Sequence, residues 1–128
     1  MVAVDTSVWV AALRNGNSRE AAVLRQLLDA DEVLLPVPVK IELLSRTSVR
    51  QRPALRSGLS ALPVAYPTDD TWWLMDGWTD TLTDSGTSVG VGDLLIAAIA
   101  HEAGALVWSL DAAFARLVRH KLIKTYEP

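Results

Sequence analysis

No cysteine occurs among the 128 residues, and there are only two histidines. Disulfides, thiolate zinc sites, iron–sulfur ligation and cysteine nucleophiles are therefore excluded, and any metal must be held by oxygen or by those two imidazoles. No uninterrupted apolar stretch approaches the roughly 18 residues that suggest a membrane span, and no basic segment followed by an apolar run opens the chain. The expectation is a cytoplasmic protein with no membrane partner. Glycine (7) and proline (6) are sparse enough to exclude low-complexity or collagen-like character. Charge of one sign is also lacking: a formal net charge of -3 argues against a broadly basic nucleic-acid binder. It still allows an acidic pocket that holds cations beside a local basic surface.

What is present is a core. Half of the residues are hydrophobic, and 128 residues suffice for one domain, spanning 1–128, that buries roughly 65 to 70% of its unfolded surface. Residues 2–5 read as a strand, followed by a helix in which Val8, Ala11 and Ala12 share a face before Gly16 stops it. Ser18 caps a second helix with Ala21, Leu24, Leu27 and Leu28 at helical spacing. A strand at 32–35 meets two prolines, after which Val37, Ile41 and Leu44 mark a helix over 37–46. A helix over 49–61, disturbed by Pro53, precedes a short strand at 63–66. Thr68 or Asp69 caps a helix whose Trp72, Trp73, Leu74, Trp78 and Leu82 form an apolar face. The turn-rich "TDSGTSVGVG" leads to the helix "DLLIAAIAHEAG", with Gly104 as its stop, then to the strand "ALVWS", a short helix and an edge strand "KLIKTY". Alternation of this kind predicts an α/β fold with a mostly parallel sheet covered on both faces.

Four carboxylates are distributed so that this fold gathers them. Asp5 ends the first strand, Glu42 lies on the helix after the second, Asp93 begins a helix after a glycine-rich turn, and Asp111 follows the fourth strand. The carboxyl ends of parallel strands form the usual ligand edge. Clustered carboxylates repel one another unless a cation joins them, and Mg²⁺ or Mn²⁺ prefers oxygen ligands. Each acid also has an ordinary role available: Asp5 in a turn, Asp93 and Asp111 as helix caps, Glu42 as a solvated helix residue.

The motifs "VDTSVWVA", "IELL", "DLLIAAIA" and "GALVWSLDAAF", in this order over essentially the full chain, resemble the PIN-domain family, and especially its small VapC-type toxin ribonucleases. The resemblance implies a three-layer α/β/α sandwich around a sheet of four or five strands. It implies that Asp5, Glu42, Asp93 and Asp111 are the acidic quartet of an endoribonuclease using one or two Mg²⁺ or Mn²⁺ ions. Asp5 and Asp93 are the expected direct ligands, with Glu42 and Asp111 binding directly or through water. Where the last motif often has threonine before the aspartate, this chain has Ser109, which keeps the hydroxyl. Ser7 and Ser109 are the expected orienting partners of the carboxylates, and Thr6 is expected to act mainly through its backbone. Family members also imply a homodimer and a toxin–antitoxin hetero-oligomer with a cognate VapB-like antitoxin.

RNA held against an acidic pocket needs cations beside it, and Arg14, Lys40, Arg46, Arg50, Arg52 and Arg56 are the candidates. His101 and His120 lack a ligand arrangement and read as a helix and a surface residue. Two alternatives keep the fold and change the chemistry: a PIN-like RNA- or protein-binding module without catalysis, and a phosphatase or phosphotransferase with Asp5 as nucleophile. The latter pattern wants a second aspartate where Ser7 stands.

Overall fold

The computed structural model describes Met1–Pro128. Strands β1 (Val2–Val4), β2 (Val33–Pro36), β3 (Val64–Ala65) and β4 (Leu106–Trp108) form one parallel sheet in the order β3-β2-β1-β4. Helices α1 (Thr6–Arg14) and α2 (Arg19–Asp29) connect β1 to β2; α3 (Val37–Arg46) and α4 (Arg52–Leu59) connect β2 to β3. Helices α5 (Asp69–Asp84) and α6 (Val91–Glu102) lead back across the sheet to β4, and α7 (Ala112–Arg119) follows. The result is the expected α/β/α sandwich. The "KLIKTY" segment contributes a single bridge, Thr125 to Val107, rather than a fifth strand. The two outer strands run to three residues or fewer, and such short edges limit unwanted strand pairing.

Local chemistry accounts for the element boundaries. Ser18 caps α2 by accepting the Ala21 N–H at 3.1 Å. Pro36 ends β2 and serves as N-cap of α3, where Pro38 in the first turn sacrifices no helical hydrogen bond. Pro53 likewise sits in the first turn of α4, so it starts the helix instead of disturbing its middle. Helix α1 ends at Arg14, before Gly16, because Asn15 already leaves the helical region at φ −139°. Helix α6 closes with Gly104 at φ +65°, its N–H donating to the His101 carbonyl and that of Ala105 to the Ala100 carbonyl. That pair of bonds is the glycine-terminated helix stop.

The core comprises β1 and β2, buried on both faces, Val107 and Trp108 of β4, and the inward sides of the helices, with the half-buried β3 packed against it. Helix α6 is its most enclosed helix, with Ile96, Ala97, Ala98 and Ala100 fully buried. Two expected apolar faces are rotated from their predicted positions. In α5 the buried residues are Thr71, Met75, Trp78 and Leu82, which recur at helical period, while Trp72 and Trp73 project from the flank and are 49% and 71% exposed. In α3, Val39, Leu43 and Leu44 face inward and Ile41 is exposed. The Thr71 hydroxyl is bonded to Glu102 and to the Thr68 N–H, joining α5 to the end of α6.

A Cβ added at Gly104 or Gly77 meets nothing within 4 Å, so substitution there reads backbone conformation alone. Gly104→Ala is expected to destabilise the protein by about 1 to 2 kcal/mol, because the residue stands in the left-handed region. Gly77→Ala, inside α5, is expected to stabilise it by about 0.5 to 1 kcal/mol. Urea unfolding of the two variants against the parent checks both signs.

Candidate active site

The strand order reverses direction beside β1: the chain leaves β1 toward β2 and β3, then returns to place β4 on the other side. Crevices at such switch points, outside the carboxyl ends of the strands, are where open parallel sheets bind ligands. Val4 is paired with Trp108, so Asp5 and Ser109 leave the sheet side by side. The Asp5 N–H donates to the Trp108 carbonyl at 2.9 Å, while its own carbonyl accepts the Val8 N–H at 3.1 Å as α1 begins.

Asp5 is 4% exposed, and donors converge on one of its carboxylate oxygens. Oδ2 accepts the Ser7 hydroxyl at 2.7 Å, the Ser109 hydroxyl at 2.8 Å and the Ser7 N–H at 3.4 Å. The serine hydroxyls in turn accept the Leu110 and Asp111 N–H groups, each at 3.0 Å. With both hydroxyl protons directed at Asp5, the 3.3 Å approach of the two serine oxygens is a contact rather than a further bond. Oδ1 takes part in none of these bonds.

An open cleft of ≈ 300 Å³ lies against this junction, lined by Asp5, Thr6, Ser7, Val10, Glu42, Arg46, Asp93 and Asp111. All four predicted acids therefore meet in one recess. Asp93 is in the first turn of α6, where Gly90 is the N-cap, so capping does not account for it. Asp111 does cap α7, its Oδ1 accepting the Ala113 N–H at 2.9 Å. Glu42 stands half-buried on α3. Burial first, then the charges of Asp111, Asp5 and Glu42, push the Asp93 carboxyl up from 3.8 to about 6. The donor set is all oxygen and anionic, which suits a hard divalent cation, although no three of these side chains form a ready-made ion cage.

Of the six predicted RNA-facing cations, Arg46 lines the cleft and the other five do not. Arg52 has a structural duty: its Nε donates to the Leu44 and Thr47 carbonyls at 2.8 and 3.0 Å, closing the end of α3. Thr6 is buried with its hydroxyl lacking a hydrogen-bond partner, and Val10, one turn further along α1, completes the wall. Val10 was not among the expected site residues; its spacing of four from Thr6 is the signal that places it there. His101 packs edge-on against Trp78, and His120 lies near Ser85 and Thr87.

Residues 2–119 match the PIN domain family. The chain belongs to the PIN-domain family. Comparison with curated proteins yields no match. Among solved structures, this PIN domain is similar to VapBC2 from Rickettsia felis, bound to a fragment of promoter DNA, at 20% identity and TM-score 0.79, covering 98% of each chain. VapBC-1 from nontypeable Haemophilus influenzae is similar at 20% identity and TM-score 0.79, with 99% of this chain and 98% of that one covered. VapC20 from Mycobacterium tuberculosis, described as a sarcin–ricin loop cleaving toxin, aligns over 100% of both chains at 19% identity and TM-score 0.68. These likenesses concern the fold.

Because folded Asp93 binds its proton more tightly than an unfolded carboxyl, its contribution to stability is complete below 3.8 and lost as pH rises through about 6. Metal-free protein is expected to lose melting temperature across that interval, Asp93→Asn to lose less, and Mn²⁺ to restore the parent at pH 7. Thermal unfolding at a series of pH values decides it. Ser7→Ala and Ser109→Ala are each expected to destabilise the protein by about 1 to 2 kcal/mol, each removing a hydrogen bond to a charged group. Their effects should be non-additive in a double-mutant cycle, since both hydroxyls serve one oxygen.

Proposed function

We propose that this PIN domain is a divalent-metal-dependent endoribonuclease of the VapC type, the toxin of a toxin–antitoxin pair. The observation that carries the reading is the meeting of Asp5, Glu42, Asp93 and Asp111 in one cleft, where burial first, and then the charges of the other three acids, raise the proton affinity of Asp93. Carboxylates in that arrangement favour a counter-cation at neutral pH, and oxygen donors favour Mg²⁺ or Mn²⁺. Asp5, through Oδ1, and Asp93 would hold one ion, with Glu42 and Asp111 binding it, or a second ion, directly or through water. When bound, the ion supplies acidified water and neutralises phosphate charge.

The protein's own groups do the rest. Ser7 and Ser109 lock the Asp5 rotamer, and the Asp111 cap holds the opposite wall. Arg14, Lys40, Arg46, Arg50, Arg52 and Arg56 lie on α1, on α3, in the loop after it and on α4, where cations offset backbone phosphates entering an acidic recess. A water oxygen bonds to phosphorus as the bond from phosphorus to O3′ breaks. The leaving oxygen gains a proton, giving a 3′-hydroxyl and a 5′-phosphate.

Fold likeness to VapBC complexes supports an antitoxin partner and an oligomeric assembly, and the proposed assembly is a homodimer of this chain joined to its antitoxin. Exposed Trp72, Trp73 and Ile41 supply apolar surface for association. Likeness to a toxin that cleaves the sarcin–ricin loop supports an RNA substrate. No helix is long and apolar enough to cross a membrane, which is compatible with a cytoplasmic role.

Antitoxin-free protein is expected to cleave a mixed structured-RNA pool with Mg²⁺ or Mn²⁺ and to stop in EDTA. Asp5→Asn and Asp93→Asn should each lose activity by more than the roughly 100-fold upper range seen for orienting groups around a metal. Metal binding without cleavage would favour a binding module, and phosphate release from a small phosphomonoester would favour the phosphatase. Cleavage unchanged in EDTA and in both variants sinks the acidic-metal reading.

A further inference from the structure

Arg46 is the only cation lining a cleft that holds four carboxylates. It lies one turn after Glu42 on α3, so the two side chains emerge from the same helix face. In such company an arginine ordinarily forms an ion pair, yet no hydrogen bond or ion pair within the chain engages the Arg46 guanidinium. The contrast with the neighbouring Arg52, which is bonded to two main-chain carbonyls, is direct. Arg46 is exposed, so its donors are available to a ligand entering the cleft. Of the groups that line the recess, it alone can donate charged hydrogen bonds to an anion.

Resting on the ribonuclease reading above, we infer that Arg46 binds the phosphate being hydrolysed, its planar guanidinium donating to the non-bridging oxygens from the α3 wall of the cleft. The other predicted cations, outside the recess, meet flanking phosphates. The assignment follows from chemistry: a phosphodiester approaching four carboxylates needs a positive group besides any ion those carboxylates hold. Arginine's fork matches two phosphate oxygens at once. As charge builds on those oxygens during attack, the bonds strengthen, so Arg46 acts on the chemical step more than on substrate capture.

The test compares the parent chain with Arg46→Gln, Arg46→Lys and Arg119→Gln. Arg46→Gln is expected to lower kcat about 100-fold, in the range for loss of one transition-state donor, with a smaller change in KM. Arg46→Lys should recover part of kcat, and Arg119→Gln, at the C-terminal end of α7 and outside the cleft lining, should leave kcat unchanged. A readout independent of turnover is binding of adenosine 5′-monophosphate in Mg²⁺, followed by ³¹P NMR, which should weaken roughly tenfold in Arg46→Gln. Calorimetric Mn²⁺ affinity should be equal or higher in that variant, because a cation beside the carboxylates has gone. Parental kcat in Arg46→Gln, or a rise in KM alone, overturns the assignment. If the parent cleaves no RNA, the ribonuclease reading fails separately. Nucleotide binding then decides Arg46 alone: tenfold loss sustains its phosphate contact, and equal affinity removes it.

Discussion

The two serine hydroxyls that meet on Oδ2 of Asp5 are the interaction on which the site depends. Asp5 is buried where β1 becomes α1, and an ionised carboxylate there is costly unless hydrogen bonds replace its water. Ser7 comes from the same turn, while Ser109 comes from the end of β4, more than a hundred residues later. One oxygen thus joins the first and last crossings of the sheet. The same serines accept the N–H groups of Leu110 and Asp111, so the backbone leading into α7 is set by the group that sets Asp5. A single hydrogen-bonded node orients two of the four acids.

The remaining acids are presented by elements whose positions come from packing. Asp93 rides on the first turn of α6, whose following turns are buried against the sheet and the neighbouring helices. Glu42 rides on α3, anchored through Val39, Leu43 and Leu44. Rigid elements therefore hold the carboxylates at a spacing that electrostatics alone opposes, and the raised proton affinity of Asp93 reflects its burial first and that opposition second. The free energy of the core sustains a polar recess that would otherwise relax apart, a common property of functional sites.

Much of this was legible along the chain. Apolar runs closed by capping residues announced the strands and helices: Ser18 and Gly104 do what their identities suggest, and Pro53 differs only in opening a helix instead of interrupting one. Sequence reading was weakest at side-chain facing. Trp72 and Trp73 look like core residues by type, but two adjacent positions lie about 100° apart around a helix. The polar Thr71 takes the inward place because its hydroxyl is bonded on both sides. The final segment resembles a strand in composition and makes one bridge, since strand propensity forms no ladder without a paired length of backbone.

Alternation of apolar runs and helical periods, by itself, determined the parallel α/β architecture, and the positions of Asp5 and Asp111 after strands, of Asp93 at a helix start and of Glu42 on the helix after β2 determined that one sheet edge would be acidic. Those properties are local, arising from backbone preference and burial of one face at a time. Tertiary structure alone decided that Ser109 shares an oxygen with Ser7, that Arg46 and not its five fellow cations enters the cleft, and that Val10 walls it. Each of these depends on strand register and helix rotation. Both are set by how the whole core packs, and no spacing along the chain encodes them separately.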